Sequence, residues 1–89
     1  MSELDGKIDE SIAELKQYVA FSPDINNAIK GLEQLKQELR NLTKENIDEV
    51  LKGVDEAYRS SFEFSSYIPK TFTTLKTIKE WLENKKASM

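Results

Sequence analysis

Apolar residues recur three or four positions apart through four successive stretches of this chain, a spacing that places them on one face of an α-helix. The stretches predict helices over residues 4–21, 23–41, 44–61 and 69–84. Pro23 and Pro69 stand where the second and fourth helices should start, a position that favours proline. No stretch alternates apolar and polar residues with a period of two. We therefore expect about 60% helix or more and essentially no strand.

Short polar residues mark the expected helix ends. Ser22 and Thr43 are predicted to cap the second and third helices with their hydroxyl groups. The fourth helix is expected to end near Asn84, and residues 87–89 are expected to fray because they are terminal and lack an apolar anchor.

An internal echo and the chain length indicate the architecture. Residues 8–10, Ile-Asp-Glu, recur as residues 47–49, and the apolar spacing after Pro23 recurs after Pro69. The echo is typical of two related hairpins, although any two amphipathic hairpins with a capping proline share such a pattern. Short connections make neighbouring helices antiparallel in either case. We predict a single all-α domain over residues 1–89, an antiparallel four-helix bundle built from two helical hairpins.

The chain contains neither cysteine nor histidine, which narrows its chemistry. Disulfides, thiolate metal sites, a thiol nucleophile and the commonest general base are all excluded. Asp5 with Asp9, and Glu10 with Glu14, could jointly hold a hard cation, but a solvated acidic face is the preferred interpretation. The expectation is a protein that is not an enzyme, with no cofactor and no bound metal.

Glycines interrupt the helical pattern at Gly31 and Gly53, outside any phosphate-binding loop. Each costs about 1 kcal/mol of helix propensity relative to alanine. We expect both to permit close contact between helices.

The net charge of −3 argues against nucleic-acid binding. The charged residues are also unevenly distributed along the chain. Acidic residues concentrate in residues 1–14 and lysines in residues 70–89, so the first and last helices should attract each other. The acidic start lacks the basic end and apolar run of a secretory signal, which predicts a cytoplasmic location.

Trp81 lies among the lysines of the fourth helix, a combination typical of helices that lie on a membrane or in a partner's groove. The internal echo instead aligns Trp81 with Leu35, which favours a position in the core. Membrane contact through the fourth helix is therefore the less favoured alternative.

The connection over residues 60–69 concentrates three of the seven Phe and Tyr residues, between helices that need only a short link. Its aromatic side chains could fold back as a lid over the bundle, which the small core favours, or could stay exposed as a contact patch. The candidate partner contacts are Phe62, Phe64, Tyr67 and Ile68.

Residues 67–69, Tyr-Ile-Pro, are followed by apolar residues at Phe72, Leu75 and Ile78. Together with the chain length and the four predicted helices, this pattern resembles the immunity proteins of pediocin-like bacteriocins. The resemblance implies a cytoplasmic antiparallel bundle whose C-terminal half recognises a bacteriocin-bound membrane receptor.

Two functional hypotheses follow. The preferred one is a small non-catalytic helical module that binds a protein partner of unknown identity through the 60–69 connection. The alternative is a protein similar to the bacteriocin immunity proteins that acts beside a membrane receptor complex. The near-heptad apolar spacing of the second helix also favours a homodimer over a monomer.

Overall fold

The computed structural model describes residues 2–89, with side chains from Glu3 onward. It contains helices α1 (Ser2–Lys16), α2 (Asp24–Arg40), α3 (Ile47–Ser61) and α4 (Pro69–Ser88), with a short 3₁₀ helix, Phe62–Phe64, after α3. Helix accounts for 79% of the chain, and residues 2–89 include no strand. The all-helical prediction is confirmed.

Helix α1 ends five residues before the predicted position 21. Beyond Lys16 the backbone amides of Gln17, Tyr18 and Phe21 bond to carbonyls three residues earlier, which is the tighter geometry of turns. Aromatic and β-branched residues in this segment are weaker helix formers than the residues before them. Ser22 was expected to cap α2, but that helix begins without a side-chain cap.

Thr43 takes part in a reciprocal cap before α3. Its Oγ1 accepts a hydrogen bond of 3.1 Å from the Asn46 amide, and the Asn46 Oδ1 accepts one of 2.8 Å from the Thr43 amide. The helix starts at Ile47 and not at 44, because residues 44–46 form the turn inside this cap. At the other end of the chain, α4 continues to Ser88, four residues past its predicted end.

The helices lie in the spatial order α2, α1, α4, α3. Helix α1 packs against both α2 and α4, and α4 also packs against α3. Within residues 2–89, the backbones of α2 and α3 make at most marginal contact. The most deeply buried side chains include Ile8 and Leu15 of α1 and Ile78 and Leu82 of α4. The core is therefore centred on the α1–α4 pair, with α2 and α3 on its flanks.

Ion pairs join α1 to α2. Asp9 pairs with Lys36 at 2.8 Å, and Asp5 pairs with Arg40 at 3.1 Å. The contacts move toward the start of α1 as they move toward the end of α2. The acidic residues of α1 were expected to attract the lysines of the last helix, but these two carboxylates face α2.

Ion pairs of the same kind join α3 to α4. Asp55 contacts Lys79 at 2.9 Å, and Asp48 pairs with Lys86, about two turns nearer the start of α3 and about two turns nearer the end of α4. The hydrogen bond from Lys79 lowers the pKa of the Asp55 carboxyl below its ordinary value of 3.8. Lys79 and Lys86 of α4 thus pair with α3 and not with the acidic residues of α1.

A carboxylate of α1 caps the start of α4. Glu14 accepts hydrogen bonds from the backbone amides of Lys70, at 3.0 Å, and Thr71, at 2.8 Å. The N-cap position of α4 is Ile68, which has no side-chain oxygen to bond these amides. Glu14 therefore supplies a cap from another helix and places a negative charge at the positive end of the α4 dipole.

Small hydroxyl side chains continue this contact along the α1–α4 interface. The hydroxyl groups of Thr71 and Thr74 donate to the carbonyl oxygens of Ser11 and Lys7, each at 3.3 Å. Ser11, Thr71 and Thr74 are all buried, and Ser11 also donates to the Lys7 carbonyl at 3.0 Å. We call these contacts together with the Glu14 cap the α1–α4 polar seam. Because each of these bonds has a fixed partner, the seam specifies the register of α1 against α4.

Replacing Glu14 by Ala should lower the free energy of unfolding by about 1 to 2 kcal/mol, because two amides at the start of α4 lose a charged acceptor. Glu10→Ala, an exposed change on the same helix, should cost less than about 0.5 kcal/mol. Urea denaturation of both variants measures the difference. Equal losses would show that the cap contributes nothing.

Candidate functional site

An apolar groove runs between α2 and α3, where the two flanking helices fail to meet. Its volume is about 970 Å³. The floor includes Leu15 of α1 and Ile68, Thr71 and Leu75 at and beyond the start of α4. We call this site the α2–α3 groove, and its principal wall residues are Ile25, Ala28, Gly31, Leu32 and Leu35 on α2, and Val50, Gly53, Val54 and Ala57 on α3.

The glycines in the walls were expected to let helices pack closely, and that expectation is wrong. A Cβ atom added at Gly31 or Gly53 would meet no atom within 4 Å. Both glycines have an ordinary negative φ, so no backbone conformation requires them. With Ala28 and Ala57 they form two facing strips of small residues, and these strips leave the space between α2 and α3 unfilled.

The charged residues that line the groove are all acidic. Asp24 and Glu38 belong to α2 and Glu49 belongs to α3, and among the groove residues that the structure describes there is no lysine or arginine. Asp24 and Glu49 are exposed, and Glu38 is half-buried. Neutral polar groups such as Asn27 and Gln34 complete this lining. The groove therefore combines an apolar interior with an acidic edge.

The 60–69 connection contributes residues to one end of the groove, and its aromatic rings do not cover the opening. Phe64 and Tyr67 line the groove and keep 55% and 65% of their surface exposed. Ile68, also proposed as a surface contact, is only 8% exposed and forms part of the groove floor. The lid preferred from the sequence would bury these two rings, and the structure leaves them open to solvent.

Phe62 belongs to a different cluster. Its ring lies 4.9 Å from the Tyr58 ring and 5.3 Å from the Phe72 ring, between centroids, and none of these three residues lines the groove. The cluster joins the end of α3 to α4 through aromatic contacts. The structure thus brings Phe64, Tyr67 and Ile68 together and separates Phe62 from them.

The sequence analysis missed Phe21, which lines the same end of the groove and is 82% exposed. Phe21 lies in the turn that follows α1. The Tyr18 hydroxyl of the same turn donates a hydrogen bond of 3.0 Å to the Tyr67 carbonyl, which connects the turn to the 60–69 connection. A signal for the two walls was present in the sequence. Ala28 and Gly31, three positions apart, and Gly53 and Ala57, four positions apart, each place two small residues on one helix face beside the apolar stripe.

Acidic side chains that could have shared a cation are engaged elsewhere. Asp5 and Asp9 pair with basic residues of α2, and Glu14 caps α4. Over residues 2–89, no three His, Cys, Asp or Glu side chains converge as a metal site would require.

Trp81 is half-buried against the core, and the Lys85 Nζ lies 5.9 Å from its ring centroid. No helix within residues 2–89 has the length and apolar character that crossing a bilayer requires.

No protein-family model, curated protein or solved structure matches this chain. The resemblance to bacteriocin immunity proteins accordingly stays an expectation from the sequence.

Phe64→Ala should reduce the free energy of unfolding by about 1 kcal/mol or less, because more than half of the ring surface is already exposed. Leu82→Ala, at a fully buried position, should cost about 2 to 5 kcal/mol and provides the comparison. Thermal and urea denaturation measure both. A loss of about 3 kcal/mol or more for Phe64→Ala would restore the lid interpretation.

Proposed function

We propose that the chain is a non-catalytic protein-interaction module in which the α2–α3 groove receives apolar side chains of a protein partner. The observation that carries this proposal is an apolar groove left open between two helices of a very small domain. A chain of 89 residues has a small core, so apolar surface that stays unburied in a groove is stabilisation that the fold does not gain. Exposed apolar surface of this kind is typical of interaction sites.

The architecture that we propose for this module is an antiparallel bundle of two hairpins, α1–α2 and α3–α4, joined through α1 and α4. The opposite order of the ion pairs in each hairpin and of the hydroxyl contacts across the polar seam supports it. In this arrangement the hairpins meet along one pair of helices only. The two outer helices then form the walls of the groove.

Exposed aromatic rings at the end of the groove support an interaction role for the 60–69 connection. Phe64, Tyr67 and Phe21 all line the groove and are exposed, and aromatic side chains often contribute most of the binding energy at interfaces. The proposed partner contact of this connection therefore consists of Phe64 and Tyr67, with Ile68 beneath them.

Self-association through the seam of the second helix is a separate prediction. Ile29, Leu32, Leu35 and Leu39 of that stripe are buried within one chain. A homodimer would therefore need a different surface, and sedimentation equilibrium tests it.

Filling the groove should abolish binding without harming the fold. Gly31→Leu introduces a side chain where no atom lies within 4 Å of the Cβ position, and it should raise helix propensity by about 0.8 kcal/mol. Gly6→Leu makes the same change at an open position on α1, outside the groove, and serves as the control. We expect the neutral dye Nile red to fluoresce with the wild-type chain and Gly6→Leu, and much less with Gly31→Leu.

The same three proteins serve as baits for affinity capture from cells that express the chain. A partner that binds the wild type and Gly6→Leu but not Gly31→Leu would support an interaction module that works through the groove. Equal dye fluorescence and equal capture with all three proteins would contradict the proposal.

A further inference from the structure

We infer that the α2–α3 groove takes a cationic amphipathic helix of a partner protein. This inference deepens the proposed function and depends on it. Three observations carry it: the backbone chemistry of the groove walls, the dimensions of the groove and the charge at its edge.

The walls select a helical occupant. Both walls are α-helices, so their backbone amides and carbonyls are already hydrogen-bonded within each helix. Few of these groups are free to bond the backbone of a segment that enters the groove. An extended segment would bury unpaired amides and carbonyls against the strips of small residues. A helix satisfies its own backbone groups and presents only side chains to the groove.

The groove walls span about three to four turns of helix. Its α2 wall extends from Asp24 to Glu38, about 21 Å at the α-helical rise per residue, and its α3 wall extends from Glu49 to Ser61, about 18 Å. A partner helix of about 14 residues would place four apolar side chains along this length. The open space over Gly31 and Gly53 leaves room for those side chains to enter.

Charge distinguishes among the occupants that would fit. Asp24, Glu38 and Glu49 lie in the groove lining without a described basic neighbour there, so lysine or arginine beside the apolar stripe of a partner would find opposite charge. A second copy bound face to face would bring two such acidic sets together. A fatty acid would bring another carboxylate. Both are disfavoured by like-charge repulsion.

The test uses fluorescence anisotropy with a labelled synthetic 14-residue peptide that carries four leucines in a helical stripe and lysine and alanine elsewhere. A matched peptide replaces each lysine by glutamate, and a third scrambles the stripe. We expect the lysine peptide to bind the wild type at least about tenfold more tightly than either comparison peptide. Its affinity should fall as ionic strength rises.

Two triple variants of equal net charge locate the electrostatic effect. Asp24→Asn with Glu38→Gln and Glu49→Gln should weaken binding of the lysine peptide about tenfold, the sum of three modest surface charge interactions. The control triple variant should bind like the wild type, because its exposed carboxylates lie outside the groove; its changes are Glu10→Gln, Glu33→Gln and Glu80→Gln.

The outcomes separate this inference from the proposed function. If lysine and glutamate peptides bind equally and Gly31→Leu removes both, the groove is a protein-binding site but the cationic partner is wrong. If Nile red enters the groove and neither peptide binds, a helical occupant is wrong. A wild-type dimer that Gly31→Leu dissociates would identify a second copy as the occupant, and palmitate displacing Nile red without peptide binding would identify a lipid; each would overturn the inference.

Discussion

The contact between α1 and α4 determines where every other helix of this chain can lie. Glu14 bonds two amides at the start of α4, and the hydroxyl groups of Thr71 and Thr74 bond carbonyl oxygens of α1. These bonds have fixed partners, whereas apolar packing alone tolerates sliding by a turn. Because α2 follows α1 and α3 precedes α4, fixing this one pair places the remaining helices on opposite flanks.

An open groove is the consequence of this arrangement. A closed bundle would also need contact between α2 and α3, which these helices largely lack. Larger side chains at Gly31 and Gly53 could fill the space between them. The chain has small residues there instead, together with three carboxylates and no described lysine or arginine in the lining. The fold is therefore less stable than it would be with this space filled. Sacrificing stability at one site in this way is typical of binding surfaces.

Helix number and helix faces could be predicted from apolar spacing, and the starts of α2 and α4 followed from Pro23 and Pro69. The groove could not be predicted, because spacing shows which face of a helix is apolar but not which two helices fail to meet. Gly31 was expected to permit close packing, and the same small residue borders empty space. The cap by Glu14 was equally inaccessible, since its partners are more than fifty residues away in the chain.

The central claim, that α1 and α4 touch while α2 and α3 stand apart, is most directly tested by nuclear Overhauser effects in the free protein. Protons of Ser11 should show cross-peaks to those of Thr71 and Thr74, whose side chains bond α1. Protons of Gly31 should show no strong cross-peaks to Gly53 or Ala57, because α2 and α3 make at most marginal backbone contact and nothing lies within 4 Å of the Cβ position at Gly31. Strong cross-peaks between Gly31 and Gly53 would mean that the helices pack through their glycines, and would contradict the account.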